Sequence, residues 1–308
     1  MKILFMGTTV FSNVVLKKLI ENDYDIVGVV TQPDRPFGRN RELKAPITKE
    51  LALEHNLNVL QPEKIKDVTQ EIKELKPDCI VTCAYGQMVP KEILDIPPLR
   101  ALNVHASLLP KYRGGAPIHK AIINGENMTG VTLQFMEQGM DTGDVLYKEE
   151  VTIDPDDTFG DVEKKLMQAS EVCIDKGLKL YFEDKLTPIP QNEDEVTFAY
   201  TIKRDEEFVS FNQAIDPIYN QIRGLIPWPT SYGILDGLNV KIHGAKKIEQ
   251  RHKHKLGTII KMDLDGTHVA VDGGVIVLTS IQPAGKPKMK NQDILNGYRH
   301  MWEGKRFD

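Results

Sequence analysis

Asn103 and His105 stand two residues apart in the segment Ala101-Leu-Asn-Val-His105. In an extended strand such residues share one face, with apolar Leu102 and Val104 on the other. An amide is a fixed hydrogen-bond donor, and an imidazole exchanges a proton near neutral pH. Acyl transfer requires a group of each kind, one to hold a developing oxyanion and one to move a proton. Pro110, Gly114 and Gly115 then turn the chain into a loop. The strand ends of α/β proteins are where ligand crevices form. A carboxylate, Asp141, lies in a second glycine-bounded loop, Gly139-Met-Asp-Thr-Gly143. Taken alone, the three would equally suit structural polar groups satisfied by backbone. Ser107 with His105 and Asp141 would make a nucleophilic set, but Ser107 lacks the flanking glycines of a nucleophile elbow. Direct transfer without a covalent enzyme intermediate is the simpler chemistry.

Alternating strand-like and helix-like segments over the first 150 residues would position these groups, the pattern of a parallel sheet with crossover helices. Lys2–Met6 and Ile26–Thr31 read as buried strands flanking an amphipathic helix from about Phe11 to Glu21. Pro46 suits a first helical position for a helix to His55, and Val59–Leu60 begins a short strand. Asp67 is placed to cap a helix over Val68–Leu75, which Pro77 ends. Cys79–Ala84, Ala101–His105, Val131–Met136 and Val145–Val151 read as further strands. Thr158 with Asp161 forms a capping-box pattern for a helix to Phe182. A proline-punctuated acidic stretch follows, so the expected division is 1–189 catalytic domain, 190–205 linker and 206–308 β-barrel. Beyond the linker, Val240–His243, Gly257–Ile260, His268–Val271 and Val275–Leu278 are short alternating segments separated by glycine and aspartate turns, the signature of a small antiparallel barrel.

Composition narrows the classes. At 308 residues the expectation is two domains, and 41% hydrophobic with 27% charged residues is ordinary for a soluble globular protein. No apolar run approaches the roughly 18 residues of a membrane span, and the opening Met1–Met6 stops too soon for a signal peptide. Cys79, Cys83 and Cys173 have neither metal-ligand nor disulfide spacing, and a reducing cytoplasm is expected. The dinucleotide fingerprint needs three close glycines after the first strand, whereas Gly7 is followed by Thr8, Thr9, Val10 and Phe11. The eight histidines are scattered, so no metal is expected. Net charge is −5 overall, but residues 241–308 carry 13 basic against 7 acidic residues. Such asymmetry suits a polyanion. Lys253 and Lys255, with His252 and His254 between and beside them, would face phosphates. A second basic segment, Pro33 to Lys49, holds Arg35, Arg39, Arg41, Lys44 and Lys49. It is too long for a plain βα connection and of a kind that orders on RNA.

The runs Asn103-Val-His-Ala-Ser107-Leu-Leu-Pro110, Tyr112-Arg-Gly-Gly-Ala-Pro-Ile118, Gly130-Val-Thr132 and Met140-Asp-Thr-Gly-Asp144 resemble the formyltransferases that use 10-formyltetrahydrofolate. Within them, the resemblance is nearest to the branch acting on methionyl-tRNA. Phe5–Thr8, Thr31–Pro36 with Gly38-Arg39, Gln221–Gly224, Pro227–Pro229 and Leu278–Lys286 extend it along nearly the whole chain. One departure is Thr8-Thr9-Val10-Phe11, where that family usually has Thr-Pro-Asp-Phe.

The resemblance implies a Rossmann-like, mostly parallel α/β domain followed by an oligonucleotide-binding-type β-barrel. It implies 10-formyltetrahydrofolate as co-substrate and initiator methionyl-tRNA as partner; from the residues above, no metal, no NAD and no membrane are expected, and the chain is expected to be a monomer. Asn103 and His105 would hold the oxyanion. Asp141 would either support the imidazolium or take the amine proton. Ser107, Leu108, Leu109 and Pro110 would contact the folate, and the Tyr85–Pro90 loop would line its pterin. Arg39, Arg41 and Lys44 would reach the acceptor end of the tRNA, and Lys253 and Lys255 its backbone. The alternatives are a related folate-dependent enzyme acting on a small amine or releasing formate, and a non-catalytic RNA-binding protein.

Overall fold

The apolar opening of the chain becomes the middle of a sheet. The computed structural model describes residues 1–38 and 41–308. Arg39 therefore lies outside the described residues. Two compact units result. The first comprises Met1–Gly114, Thr129–Val151 and Glu163–Phe198, and the second Gly115–Met128, Thr152–Val162 and Ala199–Asp308.

In the first unit the chain runs β1 (Lys2–Gly7), α1 (Val10–Glu21), β2 (Asp25–Val30), β3 (Arg35–Phe37), β4 (Glu42–Lys44), α2 (Ile47–Glu54), β5 (Val59–Leu60), α3 (Thr69–Leu75), β6 (Cys79–Cys83), α4 (Lys91–Leu94) and β7 (Ala101–His105). After α5 (Pro117–Ile123), which belongs to the second unit, come β8 (Met128–Phe135) and β9 (Val145–Thr152). The seven strands order as β5-β2-β1-β6-β7-β8-β9, with β8 antiparallel to β7 and the strands from β5 to β7 parallel. Strand β6 is buried at all five positions, as a central strand covered on both faces requires. Leu4, Met6 and Ile80 pack with Ile65, Ile72 and Ile93 in one core. The chain moves outward from β1 and then returns to its other side through β6, so the order reverses at the carboxyl ends of β1 and β6. That is where a crevice opens in such sheets.

Gly7 is required by packing. A Cβ there would lie 2.6 Å from Ser12 Cβ. The amides of Thr8 and Thr9 both donate to Ser12 Oγ, at 3.0 and 3.1 Å, in a turn built on a Thr9–Ser12 capping box. Its N–H groups are thus committed to the start of α1.

Several elements differ from expectation. Asp67 does not cap α3. The chain enters that helix through a 3₁₀ turn, Ile65–Val68, and the cap position is Val68 without a side-chain bond. The basic segment after β2 contains the hairpin β3–β4. Within it Arg35 pairs with Glu63, and Lys49 with Asp34 at 2.8 Å. The capping box of Thr158 and Asp161 is present, and it opens α6 (Phe159–Val172). The helix continues to Phe182, but Cys173–Leu178 adopt a π-helical turn before α7 (Lys179–Phe182). There Gly177 approaches Tyr147 so closely that a Cβ would lie 2.8 Å from the ring. Residues 190–198 are tied down beside the first sheet: Ile189 pairs with Val145, and Phe198 bridges Arg113.

The second unit holds α8 (Ile215–Gly224), β10 (Tyr232–Leu235), β11 (Leu238–Glu249), β12 (Ile259–Met262), β13 (Thr267–Val271), β14 (Gly274–Pro283), β15 (Met289–Lys290) and α9 (Asn291–Trp302). Ile215, Ile218, Tyr219 and Ile222 form the buried stripe of α8, at the spacing of a single helix face. They join Phe211, Ile242, Ile276, Trp302 and Phe307 in a second core. The strands form an antiparallel sheet, β10-β11-β14-β13-β12, with β15 on β14 and bulges in β11 near Gly244. The edges are not left open. Leu235 bridges Phe307, and Thr258 bridges Arg306. Ile259 donates to the Lys305 carbonyl, and Asp308 to that of Ile234, at 2.8 and 3.0 Å. Residues 305–308 thus act as a last strand between the β10 edge and the β12 edge, closing the curl into a barrel. Among the described residues, no helix is long and apolar enough to cross a membrane.

Candidate active site

Strand register brings the polar groups together. Asn103 on β7 lies opposite Thr82 on β6 and Gln134 on β8. Cross-strand partners share a face, so three polar side chains form a row across the sheet. The Thr82 hydroxyl donates to Asn103 Oδ1 at 2.8 Å. Asn103 Nδ2 donates to Asp141 Oδ1 at 3.3 Å. This fixes the amide's orientation, because a hydroxyl proton seeks the oxygen and a carboxylate seeks the NH2. One Nδ2 proton remains for a ligand.

His105 is 6% exposed. Its Nε2 stands 3.0 Å from the Tyr112 carbonyl, which can only accept, so Nε2 carries a proton. Nδ1 faces Asp141 Oδ1 at 3.6 Å. Nδ1 is therefore the nitrogen left without that bond, and the Asp141 carboxylate is the charged group facing it.

Asp141 sits at φ 55°, a left-handed conformation that Asp tolerates better than most residues. Neighbours hold it there. Gln134 Nε2 donates to Oδ1 at 3.0 Å and the Gly114 amide to Oδ2 at 2.9 Å. Gln191 Nε2 donates to the carbonyls of Asp141 and Gly143, at 2.8 and 2.7 Å. Gly143 is required as well, since a Cβ there would lie 2.0 Å from the Phe135 carbonyl oxygen. The structure thus brings Asn103, His105 and Asp141 into one constellation at the carboxyl end of β7.

The other expected residues fare differently. The Ser107 hydroxyl donates to the Lys111 carbonyl at 2.7 Å, and Leu109 is fully buried with its amide on Thr132 Oγ1 at 3.2 Å. Leu108 and Pro110 keep partial exposure. Along the neighbouring loop Met88 is exposed, whereas Tyr85 is buried and its hydroxyl is pushed up to about 12 by burial. Arg41 and Lys44 are exposed in the hairpin of the first unit. Lys253 and Lys255 are exposed in the loop after β11 of the second. His252 does not face outward with them. Its Nε2 lies 2.8 Å from the Val271 carbonyl and 2.9 Å from that of Gly274, pinning the loop to the barrel. Among the described residues, no group of three or more His, Cys, Asp or Glu is placed to hold a metal ion.

Thr82, Gln134, Arg113 and Gln191 were not singled out by sequence. Thr82 and Gln134 carry a faint signal, as polar residues inside apolar strand segments. Gln191 carries none, because nothing in its local sequence indicates which loop it will reach.

The formyl transferase family model matches residues 1–175, and its C-terminal domain model matches residues 201–299. The chain belongs to the formyltransferase family. The methionyl-tRNA formyltransferase of Bacillus subtilis (strain 168) is 45% identical over 300 residues, covering 96% of this chain and 94% of that protein. That of Bacillus mycoides (strain KBAB4) is also 45% identical, covering 96% of each. Among solved structures, an N-formyltransferase from Helicobacter canadensis with folinic acid and dTDP-3-aminofucose has a TM-score of 0.70 at 19% identity, covering 90% of this chain and 98% of that one. HypX from Aquifex aeolicus with tetrahydrofolic acid has a TM-score of 0.68 at 17% identity, and this chain, covered to 98%, spans 48% of it. At those identities the solved structures share the formyltransferase fold. As a formyltransferase, the chain uses a formyl-folate as co-substrate, and its Asn-His-Asp constellation lies at the strand ends where that fold opens its crevice.

Proposed function

We propose that this protein transfers the formyl group of 10-formyltetrahydrofolate to the amino group of initiator methionyl-tRNA, giving N-formylmethionyl-tRNA for translation initiation. The observation that carries this is the 45% identity to methionyl-tRNA formyltransferases over 96% of the chain, barrel included.

The chemistry follows from the constellation. The neutral amine attacks the formyl carbon, and a C–N bond forms as the carbonyl π electrons move onto oxygen. The remaining Nδ2 proton of Asn103 would meet that oxyanion. His105, exchanging a proton at Nδ1, takes the amine proton or, when charged, adds to oxyanion binding. Asp141 balances the imidazolium or receives that proton itself. The intermediate collapses as the bond from carbon to folate N10 breaks, and N10 leaves with a proton. Leu108, Pro110 and the loop to Pro90 offer apolar surface to the pterin, with Ser107 and Leu109 shaping the turn from beneath. Arg39, Arg41 and Lys44 would act at the tRNA end being formylated, and Lys253 and Lys255 on phosphates.

We further propose a division into a catalytic domain over 1–189, a connecting segment over 190–205 and a tRNA-binding barrel over 206–308, acting as a cytoplasmic monomer. The family matches at 1–175 and 201–299 support the division, and three buried free cysteines suit a reducing compartment. The deciding assay supplies 10-formyltetrahydrofolate with charged initiator tRNA, with a nucleotide-linked amino sugar, or with water alone. Formylation restricted to the tRNA is expected. Equal transfer to the amino sugar, or formate release without acceptor, would overturn the assignment.

A further inference from the structure

A polar relay with buried members at Arg113 and Gln134 runs from a part of the chain remote in sequence to the Asp141 loop. Arg113 is 2% exposed, an environment that a guanidinium occupies only when its protons are used. Its Nε and Nη2 donate to Gln191 Oε1 at 3.1 and 2.9 Å, and its Nη2 reaches Glu193 at 2.8 Å. The hydrogen bond from Arg113, with its charge behind it, in turn holds the Glu193 carboxyl below its ordinary range. With its oxygen claimed by Arg113, the Gln191 amide can present only its NH2 to the other side. That group meets the carbonyls of Asp141 and Gly143 and, at 3.4 Å, Gln134 Oε1. Gln134, 1% exposed, turns its own NH2 to the Asp141 carboxylate, which can only accept. Arg113 thus sets the Gln191 amide, and the carboxylate sets that of Gln134. The residues flanking Arg113 touch the same two catalytic groups: the Tyr112 carbonyl meets His105, and the Gly114 amide meets Asp141.

We propose that Gln191 is a positioning residue for formyl transfer, which with Arg113 and Gln134 holds Asp141 at His105 and Asn103. The proposal rests on the reaction assigned above. A glutamine suits the role better than a charged residue. Glutamate would keep the acceptor for Arg113 but would set an oxygen against two carbonyl oxygens, and a lysine would abandon Arg113.

The test uses Gln191→Leu, Gln191→Glu and the double variant Gln191→Leu with Asp141→Asn. Misplacement of a reacting group by about 1 Å costs roughly 100-fold. Gln191→Leu and Gln191→Glu should therefore lose about 10- to 100-fold in kcat, with KM for both substrates within about twofold. In the Asp141→Asn background the same Leu substitution should change kcat by less than about twofold, since residues acting as one unit are not additive. The pH profile of kcat/KM for Gln191→Leu should follow that of Asp141→Asn. Full additivity, or an unaltered profile, would overturn the proposal. NMR titration of the His105 ring without substrates separates it from the assigned reaction: the Gln191→Leu curve should depart from the parent's toward that of Asp141→Asn. A parent-like curve sinks the positioning role whatever the substrate. Should Gln191→Leu fail to fold, Gln191→Asn, one methylene too short to reach both carbonyls, takes its place in the titration.

Discussion

Asn103 owes its usefulness to its two neighbours. Thr82 takes the amide oxygen and Asp141 one amide proton, so the remaining proton points in a fixed direction; in the proposed reaction it would meet developing charge with no reorganisation to undergo. Asn103→Ala should lower kcat by ~10²–10³-fold, the usual cost of one oxyanion donor, while the unfolding midpoint in urea stays within experimental scatter. Near-normal turnover would remove the oxyanion assignment. Asp141→Asn is nearly isosteric and keeps an oxygen for the Gly114 amide, yet it deletes the charge facing His105 Nδ1. It should be strongly impaired and should change the shape of the pH–rate curve, as general acid–base groups contribute ~10²–10⁴-fold. A pH–rate curve superimposable on the parent's would exclude that role. That Asn103 and His105 lie together was legible because strand periodicity places them on one face without any tertiary information, whereas the arrival of Asp141 beside them is a tertiary contact. Gln191 was not legible, since its function lies in an encounter with residues about fifty positions earlier.

At the scale of elements, the helix α5 offers a test by pH. His119 on it is stacked on Phe159, with ring centroids 4.0 Å apart, and its Nε2 meets the Trp228 carbonyl. Burial pushes the imidazole down to about 4, with that hydrogen bond opposing it and the Lys120 charge adding to it. The unfolded chain therefore binds a proton, near pH 6.5, that the folded chain refuses until about pH 4. Stability is complete above the unfolded value and declines as pH falls between the two. From pH 7 to pH 4.5 this amounts to about 2–3 kcal/mol. His119→Gln, which retains a donor for the carbonyl, should lose correspondingly less across that interval in urea titrations. An equal loss in parent and variant would assign the acid sensitivity elsewhere. Elements with strong local signals were readable: β7 appears over the same five residues as expected, and the Thr158–Asp161 cap is present. Those decided by packing were not. The 3₁₀ entry to α3, where the Ile65 amide donates to Gln87 Oε1, the π turn opposite Tyr147 and the inward turn of His252 all involve neighbours distant in sequence.

For the whole molecule, the basic excess of residues 241–308 should act as a counterion-releasing surface. Changing Lys253 and Lys255 together to Ala should raise KM for tRNA and reduce the slope of log KM against log salt by up to about 2, with kcat preserved. A matched loss of kcat would place these lysines in the chemistry instead. Arg41→Ala in the hairpin should lower kcat/KM with little change in salt slope, and a slope change equal to that of the lysine pair would make it one more phosphate contact. The two-part organisation was visible as a change of texture past residue 205, but the paths were not. Residues 115–128 and 152–162 belong with the later unit, although they are synthesised between segments of the earlier one. Order of manufacture therefore differs from order of assembly. On a ribosome the first sheet must wait for Gln191 before its catalytic loop is fastened, while two stretches already made wait longer still for the barrel. Until then they present apolar faces, those of Ile118 and Ile122 among them, to whatever chaperones attend the nascent chain. A stalled or truncated polypeptide ending before residue 199 should accordingly be a poor folder and a ready protease substrate, rather than a free-standing catalytic half.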